Sequence, residues 1–232
     1  MIDMHNHILP NVDDGSRSLE ESIKLLEALH KASFHTVFMT PHVSSKRHVN
    51  LDKSFLEKQY QTLLTKVNER KLDVKLYLGS EFDAHHKTHH ELQHGYTLAG
   101  TNVVLLDLSF AKDYYEEVLY NLNVLGYKVL IAHVERYDFF DINILRTLNK
   151  KHLYFQMNLS SLYKNAPKHQ TKKAKKLLKA GLIDSIGTDS HRYYEKFYED
   201  LQYGLNQCRK LVGNEMFEYI SKGFVSEVIL SG

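Results

Sequence analysis

Nine histidine, aspartate and glutamate residues occur along the chain at positions where they could bind divalent metal ions. The first fifteen residues, MIDMHNHILPNVDDG, contain His5, His7 and Asp14. The other donors lie far downstream and are His42, Glu81, Asp107, His133, Asp189 and His191. Imidazole and carboxylate groups are the usual ligands of divalent first-row metals, and one catalytic zinc uses only three or four of them. The set therefore predicts two or three ions bridged by carboxylates.

Short aliphatic segments alternate with longer segments of helical period along the whole chain. The predicted strands are 1–4, 36–40, 75–78, 103–106, 128–132, 154–157 and 185–187. The predicted helices are 19–33, 51–70, 113–125, 142–151, 171–180 and 194–212. Regular alternation of strand and helix predicts an α/β fold with a parallel sheet. About seven such units, without a GxGxxG or P-loop motif, favour a closed or nearly closed barrel.

The candidate donors follow these predicted strands by only a few positions. In a parallel barrel the C-terminal ends of the strands meet at one face, so the donors would converge in space. Each donor alone is weak evidence, because a single histidine or a strand-end aspartate often has a structural role. Asp13, beside Asp14, is interpreted as shaping the loop. Ser18 and Glu21 have the spacing of a capping box, which predicts a helix directly after this loop.

Two other features could suggest different chemistry. The run DAHHKTHHELQHG contains five histidines with helical spacing and is interpreted as a solvated surface rather than a second metal site. A nucleophilic cysteine of the Cys-x5-Arg type needs an arginine six positions further on, but Asn214 occupies that position after Cys208. Cys208 is therefore predicted to be a buried helix residue.

Composition limits the class of protein and its partners. The chain has 232 residues and a formal net charge of only +2, so it has no strong overall positive potential that would attract nucleic acid. It has one cysteine, so no disulfide can form within the chain. The apolar runs are too short to span a bilayer, and the N-terminus lacks the pattern of a signal peptide. These features predict one cytoplasmic domain over residues 1–232, without nucleic-acid binding or direct membrane insertion.

Five motifs together resemble those of a known superfamily. In chain order they are MIDMHNHILPNVDDG, TPH, GSE, IAHVERY and TDSH. The combination is similar to the PHP (polymerase and histidinol phosphatase) superfamily, in particular to the manganese-dependent protein-tyrosine phosphatases of bacterial capsule and exopolysaccharide synthesis. The resemblance runs from residue 1 to about residue 200. It implies a distorted TIM-like (β/α)7 barrel of the PHP type with a trinuclear metal centre.

The resemblance also implies how the donors divide among the metal ions. One part of the centre would use His5, His7, Glu81 and Asp189. The other part would use Asp14, His42, His133 and His191, with Glu81 bridging. The implied cofactor is Mn²⁺, as three divalent ions, with Fe, Zn or Mg as substitutes. Family members usually have glutamate where this chain has Asp107, which leaves the approach of this shorter carboxylate open.

The phosphate-binding cations are implied by the same resemblance. Arg136, in IAHVERY, matches the family's catalytic arginine. The second cation would be Lys196, at the usual position, or Arg192, directly after His191. Arginine can bind phosphate bidentately, whereas lysine acts as a point charge. Aromatic residues that could stack on a phosphotyrosine ring, or simply pack at the barrel rim, are Tyr137, Phe139, Tyr193 and Tyr194.

The implied function is hydrolysis of phosphotyrosine in the tail of a bacterial tyrosine kinase that regulates capsule or exopolysaccharide synthesis. Two alternatives stay open at this point. One is histidinol-phosphate phosphatase activity, and the other is a catalytically weakened regulatory partner of the kinase. The basic segment KHQTKKAKKLLK is either a solvated helix face or a surface that steers an acidic tail. The oligomeric state is also open, a homo-oligomer included.

Overall fold

Short parallel strands form the centre of the protein. The computed structural model describes residues 1–43, 52–149 and 153–230. Within these ranges every strand pairing is parallel. The strands are β1 (Ile2–Asp3), β2 (Thr36–Met39), β3 (His42–Val43), β4 (Lys75–Leu78), β5 (Glu81–Asp83), β6 (Val103–Asp107), β7 (Lys128–Ile131), β8 (Leu153–Asn158) and β9 (Ser185–Gly187).

The nine described strands occupy seven positions around the barrel, because two positions hold two consecutive segments. β2 pairs with β4, and their continuations β3 and β5 pair with each other. The hydrogen-bonded orders are β1-β2-β4 and β3-β5-β6-β7-β8-β9. The ring closes where Asp189 N donates to His5 O at 2.7 Å and His7 N donates to Ser190 O at 2.9 Å. Closure therefore places the segments after β1 and β9 side by side.

Six of the seven described helices match predicted helices, apart from their ends, and the short α3 was not predicted. They are α1 (Leu19–Lys31), α2 (Lys53–Glu69), α3 (Thr88–Glu91), α4 (Tyr115–Val124), α5 (Ile142–Asn149), α6 (Lys168–Lys179) and α7 (Phe197–Glu218). Predicted helix residues 51, 150 and 151 lie outside the described residues. Ser18 caps α1 as predicted, with Glu21 N donating to its Oγ at 3.1 Å. In the described part of the chain, no helix is both long and apolar enough to cross a membrane.

A second apolar cluster lies apart from the main core, which the helices form with the outer face of the sheet. It contains Met4, Phe38, Leu105 and Leu130, and the C-terminal segment covers it with Phe224, Val225 and Ile229. This segment follows α7 as wide helical turns over Tyr219–Gly223 and Val225–Ile229. The end of the chain thus closes the end of the barrel opposite to the predicted donors.

Candidate metal centre

The ends of the strands bring the predicted donors together at one face of the barrel. Three overlapping groups have ligand atoms that all lie within 4.8 Å of one another. These groups are His7, Asp14, His42 and His191; His5, His7 and Glu81; and Glu81, Asp107 and His133. Asp189 joins them, because its Oδ1 lies 3.6 Å from His5 Nε2 and 3.3 Å from His7 Nε2. All nine predicted donors therefore converge.

Glu81 lies at the centre of the cluster. Its carboxylate is buried, and four imidazole groups surround it. The distances are 3.3 Å from Oε2 to His5 Nε2, 3.2 Å from Oε2 to His7 Nε2, 3.0 Å from Oε2 to His42 Nδ1 and 2.9 Å from Oε1 to His133 Nε2. Since Glu81 belongs to two of the three donor groups, its position suits a bridging carboxylate.

Hydrogen bonds on the outer side of two imidazoles fix which nitrogen faces the cluster. His7 Nδ1 donates to Asp13 Oδ2 at 2.7 Å, and His5 Nδ1 donates to Gln156 Oε1 at 3.1 Å. In the neutral form, which is the form that binds a metal ion, both rings present an unprotonated Nε2 atom to the cluster. These two Nε2 atoms lie only 3.3 Å apart. Two lone pairs at this distance indicate a site built for a cation.

His42 and Glu81 support the same conclusion. His42 Nδ1 and Glu81 Oε2 are buried and 3.0 Å apart, yet neither atom has a hydrogen-bond partner of acceptable geometry. Buried polar atoms almost always have a partner, so such an arrangement requires an explanation. Divalent cations accept both imidazole nitrogen and carboxylate oxygen as ligands. The residues present therefore fit a metal centre.

Asp13 hydrogen-bonds to two candidate ligands and to its own loop, which agrees with its interpretation as a residue that shapes the loop. In addition to the bond from His7, Asp13 Oδ2 accepts from His42 N at 2.9 Å, and Oδ1 accepts from Gly15 N at 2.9 Å. One buried carboxylate thus links the first loop to β3. Gly15 must lack a side chain, because an added Cβ would lie 2.1 Å from His7 O.

Gln156 and Asn158 form a chain of hydrogen bonds, the amide relay, beneath the cluster. No role was predicted for either residue from the sequence. Gln156 Oε1 accepts from His133 N at 2.7 Å as well as from His5. Gln156 Nε2 donates to Asn158 Oδ1 at 2.8 Å, and Asn158 Nδ2 donates to Asp189 Oδ2 at 2.7 Å. The available signal was the sequence YFQMN, in which two amide residues alternate with apolar residues in a buried strand.

Asp107 reaches the cluster despite its short side chain. Its Oδ2 lies 4.0 Å from His133 Nε2. Its Oδ1 accepts from Ser109 N at 2.7 Å, from Ser109 Oγ at 2.6 Å and from the Tyr137 hydroxyl at 3.0 Å. Tyr137 is only 3% exposed, so it cannot stack on a substrate ring. This corrects one of the stacking candidates, since Tyr137 instead holds the carboxylate of Asp107 in place.

Backbone conformation at the site is unusual for residues with side chains. His133 has φ 33° and Asp189 has φ 51°, both in the left-handed region. Such conformations cost energy and persist only where the surrounding structure enforces them. Gly187 lets the backbone at the end of β9 pass close to His5, because a Cβ at this position would lie only 2.7 Å from His5 Cβ. Strained backbone and tight packing together aim these side chains into the cluster.

The electrostatics of the cluster favour positive charge. Burial alone would raise the pKa of Asp189, but His5 and His7 outweigh burial and hold that pKa well below its usual range. The same competition holds for Glu81, whose pKa also lies well below its usual range. Burial opposes protonation of His7, yet Asp13 raises its pKa well above the ordinary value. An environment that stabilises both carboxylates and imidazolium also stabilises bound cations.

The structure treats the three predicted phosphate-binding cations differently. Arg136 Nη2 lies 2.7 Å from Asp189 Oδ2, and its side chain is 40% exposed at the edge of the cluster. Arg192 Nη1 instead lies 2.9 Å from Glu21 Oε2 and donates to Gly15 O. Lys196 is exposed at the start of α7, and its ammonium makes no hydrogen bond or ion pair with any described residue. Only Arg136 directly contacts a predicted ligand.

The histidine-rich run and the cysteine are separate from the donor cluster. His85 Nε2 lies 2.7 Å from Glu91 Oε1, and His86 pairs with Glu117 on α4. Among the described residues, no histidine of this run belongs to a donor group. Cys208 is buried in α7, as predicted, and burial raises the pKa of its thiol to about 12. A thiol that stays protonated is a poor nucleophile.

Comparisons with known proteins agree with this geometry. The family model for capsular polysaccharide synthesis, CpsB/CapC, matches residues 1–229. The tyrosine-protein phosphatase YwqE of Bacillus subtilis is 28% identical over 226 residues, which cover 93% of this chain and 87% of that protein. The tyrosine-protein phosphatase CpsB of Streptococcus pneumoniae is 26% identical over 234 residues, with 91% and 94% coverage.

Solved structures confirm the predicted PHP-type barrel. A structure described as YwqE from Bacillus subtilis and CpsB from Streptococcus pneumoniae, metal-dependent tyrosine phosphatases, gives a TM-score of 0.82 at 24% identity, with 94% of this chain and 90% of that chain covered. Histidinol phosphate phosphatase from Lactococcus lactis gives 0.55 at 16% identity, with 91% and 92% covered. Since the family model spans almost the whole sequence, the chain belongs to the CpsB/CapC family of capsular polysaccharide synthesis proteins.

Proposed function

We propose that the protein is a metal-dependent protein-tyrosine phosphatase. The observation that carries the proposal is the convergence of nine imidazole and carboxylate donors beside Arg136. Relatives from Bacillus subtilis and Streptococcus pneumoniae that are tyrosine-protein phosphatases support the activity. The proposed substrate is phosphotyrosine in the tail of a bacterial tyrosine kinase that regulates capsule or exopolysaccharide synthesis, and the family's link to capsular polysaccharide synthesis supports this choice.

The three donor groups would hold three divalent ions, with Mn²⁺ as the proposed metal and Fe, Zn or Mg as substitutes. Mixed imidazole and carboxylate ligands suit these ions. Bound ions would lower the pKa of water towards neutrality and neutralise charge on the phosphoryl oxygens. Glu81 would bridge the ions, since its two oxygens face different histidines. His5, His7, Asp14, His42, Asp107, His133, Asp189 and His191 would complete the ligand set.

Arg136 would bind the substrate phosphate. Its guanidinium is partly exposed, and Asp189 holds it at the edge of the cluster, so two N–H groups can face an incoming phosphate. Bidentate binding by arginine would orient the phosphoryl group and stabilise the charge on its oxygens in the transition state. Arg192 and Lys196 remain candidates for the second cation. Arg192 would have to break its ion pair with Glu21 before it could bind the substrate phosphate.

The proposal is tested by comparing phosphotyrosyl peptide with histidinol phosphate as substrates of the Mn²⁺-loaded protein. We expect the peptide to be preferred, and Arg136→Ala to lower kcat/KM by roughly 100-fold or more, as expected for removal of a group that stabilises transition-state charge. Arg146→Ala, which removes an exposed arginine of α5, is the matched control. A preference for histidinol phosphate would assign the alternative activity, and absence of hydrolysis with metal bound would favour a regulatory role.

The proposed partner requires its own experiment. Purified protein is incubated with an autophosphorylated bacterial capsule tyrosine kinase, and loss of phosphotyrosine is followed by immunoblot. Dephosphorylation that needs Arg136 supports the kinase as substrate. If the peptide is hydrolysed but the kinase tail is not, the enzyme acts on a different phosphoprotein.

A further inference from the structure

A basic groove lies outside the metal centre. Its volume is about 440 Å³, and it runs between α6, α7 and the turn that follows β8. Four lysines line it: Lys164, Lys168, Lys172 and Lys175. The aromatic ring of Tyr203 on α7 also lines the groove, and the Lys164 ammonium lies 5.2 Å from the centre of this ring. Among the described residues that line the groove, none is acidic.

The four lysines of the groove form no ion pairs within the described part of the chain. All four lysines are exposed. α6 itself, KHQTKKAKKLLK, carries six lysines and no aspartate or glutamate. The formal net charge of the whole chain is only +2, so this charge is a local concentration. Clustered like charges repel, and an anionic ligand would relieve the repulsion.

The groove lies at the same end of the barrel as the metal centre. Its turn begins directly after Asn158, whose side chain donates to Asp189. α6 then starts at Lys168, so the groove lysines of this helix lie within its first eight residues, nearest the C-terminal ends of the strands. α6 also contacts the Arg136 turn, since the Lys173 ammonium donates to Tyr137 O. A chain that delivers a residue to the metal centre can therefore pass along this surface.

We infer that this groove binds an acidic peptide segment that flanks the phosphotyrosine of the substrate. The inference rests on the proposed phosphatase activity. A peptide is favoured over an anionic polysaccharide, because a phosphotyrosine bound at the metal centre brings its own flanking chain to this end of the barrel. Rim charges of this kind act mainly on association and on its salt dependence. The groove thus selects among phosphotyrosine sites by the charge of their neighbours.

The test uses two phosphotyrosyl peptides that differ only in their flanks, one rich in aspartate and glutamate and one neutral. The groove variant is Lys168→Gln/Lys172→Gln. The matched control, Lys176→Gln/Lys179→Gln, removes the same charge from the same helix outside the groove. We expect the groove variant to raise KM for the acidic peptide about three- to ten-fold and to leave kcat and the neutral peptide unchanged. Wild-type KM for the acidic peptide should also rise with salt.

Other outcomes overturn the inference. Equal effects of the two double variants would assign the effect to general charge, and equal effects on the two peptides would exclude selection by the flank. Fluorescence anisotropy with the acidic, unphosphorylated peptide separates the groove from the catalytic proposal. Loss of binding only in the groove variant supports the groove even if no phosphotyrosyl peptide is hydrolysed. Tighter binding of an acidic polysaccharide than of the peptide at these lysines would contradict the choice of ligand.

Discussion

The two ends of the barrel contrast in chemistry although the same strands build both. At the C-terminal ends of the strands, buried nitrogen and oxygen atoms face one another at 3.0–3.3 Å. At the opposite end, apolar side chains such as Met4 and Leu130 belong to the same buried cluster as Phe224. At the ends of β1 and β7 the change takes only one to three residues, from Met4 to His5 and from Leu130 to His133. Stabilising apolar packing thus lies directly beneath a strained polar site.

This contrast separates the residues that stabilise the fold from those proposed to bind the metal ions. Burial of the ionisable groups in the donor cluster lowers the free energy of unfolding unless a cation binds to them. The apolar end offsets this cost, because burial of large side chains such as Phe38 and Phe224 stabilises the folded state. Substitutions at the metal end should therefore change activity and metal binding, whereas substitutions at the apolar end should change the free energy of unfolding.

The largest effect is expected at Glu81. Glu81→Gln keeps the shape of the side chain but removes the charge that faces four imidazoles. We expect phosphatase activity to fall by roughly 1,000-fold or more and the number of bound metal ions to decrease, since metal ligation and charge neutralisation carry the chemistry. Elemental analysis and steady-state kinetics measure the two effects. Glu27→Gln, at an exposed position of α1, should change neither.

Phe224→Ala tests the apolar end. Phe224 is fully buried, so its truncation should lower the free energy of unfolding by about 3–5 kcal/mol. Activity per folded molecule should stay close to wild type, because the proposed metal ligands lie at the other end. Denaturant titration measures the free energy of unfolding, and kinetic assays at denaturant concentrations below the unfolding transition measure the activity of the folded variant. Loss of activity in a folded, metal-loaded variant would show that the two ends are coupled, and Tyr219→Ala, at the protein surface, controls for general effects.

Gln156→Leu tests whether the Gln156 amide positions the proposed metal ligands. Removal of the amide leaves His5 Nδ1 and Asn158 without their hydrogen-bond partner, and we expect Mn²⁺ affinity to fall about 10- to 100-fold. Gln156→Glu keeps an oxygen acceptor for His5 and should retain more of the affinity. Calorimetric titration measures the affinity directly. Unchanged affinity in the leucine variant would show that the relay does not position the ligands.

The smallest effect concerns pH and Asp184, which precedes β9 at the apolar end of the barrel. Burial raises the pKa of Asp184 to about 6, while Phe155 N donates to its carboxylate. Because the folded state binds the proton more tightly, the associated stability is present below the unfolded pKa and is lost as pH rises through about 6. Relative to Asp184→Asn, wild type should lose about 1–2 kcal/mol between pH 4 and pH 7. A constant difference across this range would contradict the assignment.

Sequence patterns predicted the end of the barrel at which the chemistry lies. Apolar strand segments are local features, so the positions of His133 and Asp189 just after strands could be read directly. The breaks after Met39 and Leu78 were missed, because β3 and β5 are too short to show a period of two. The result was correct placement of His42 and Glu81 without knowledge that they lie in paired strands.

Contacts between distant segments could not be predicted. Arg192 follows His191, yet Glu21 on α1 determines where its guanidinium lies. Tyr137 was a stacking candidate, but Asp107 and the surrounding core hold it beneath the site. Partner choice of this kind depends on which polar groups burial leaves unsatisfied, and that is decided only when the barrel closes.

A metal titration of activity tests most directly whether hydrolysis depends on the donor cluster. Protein stripped with a chelator is reloaded stepwise with Mn²⁺, and hydrolysis of a phosphotyrosyl peptide is measured against bound metal. We expect the stripped protein to be inactive and activity to return as the donor cluster fills, reaching a plateau at about three ions. Full activity in protein shown by elemental analysis to be free of metal would contradict the central claim.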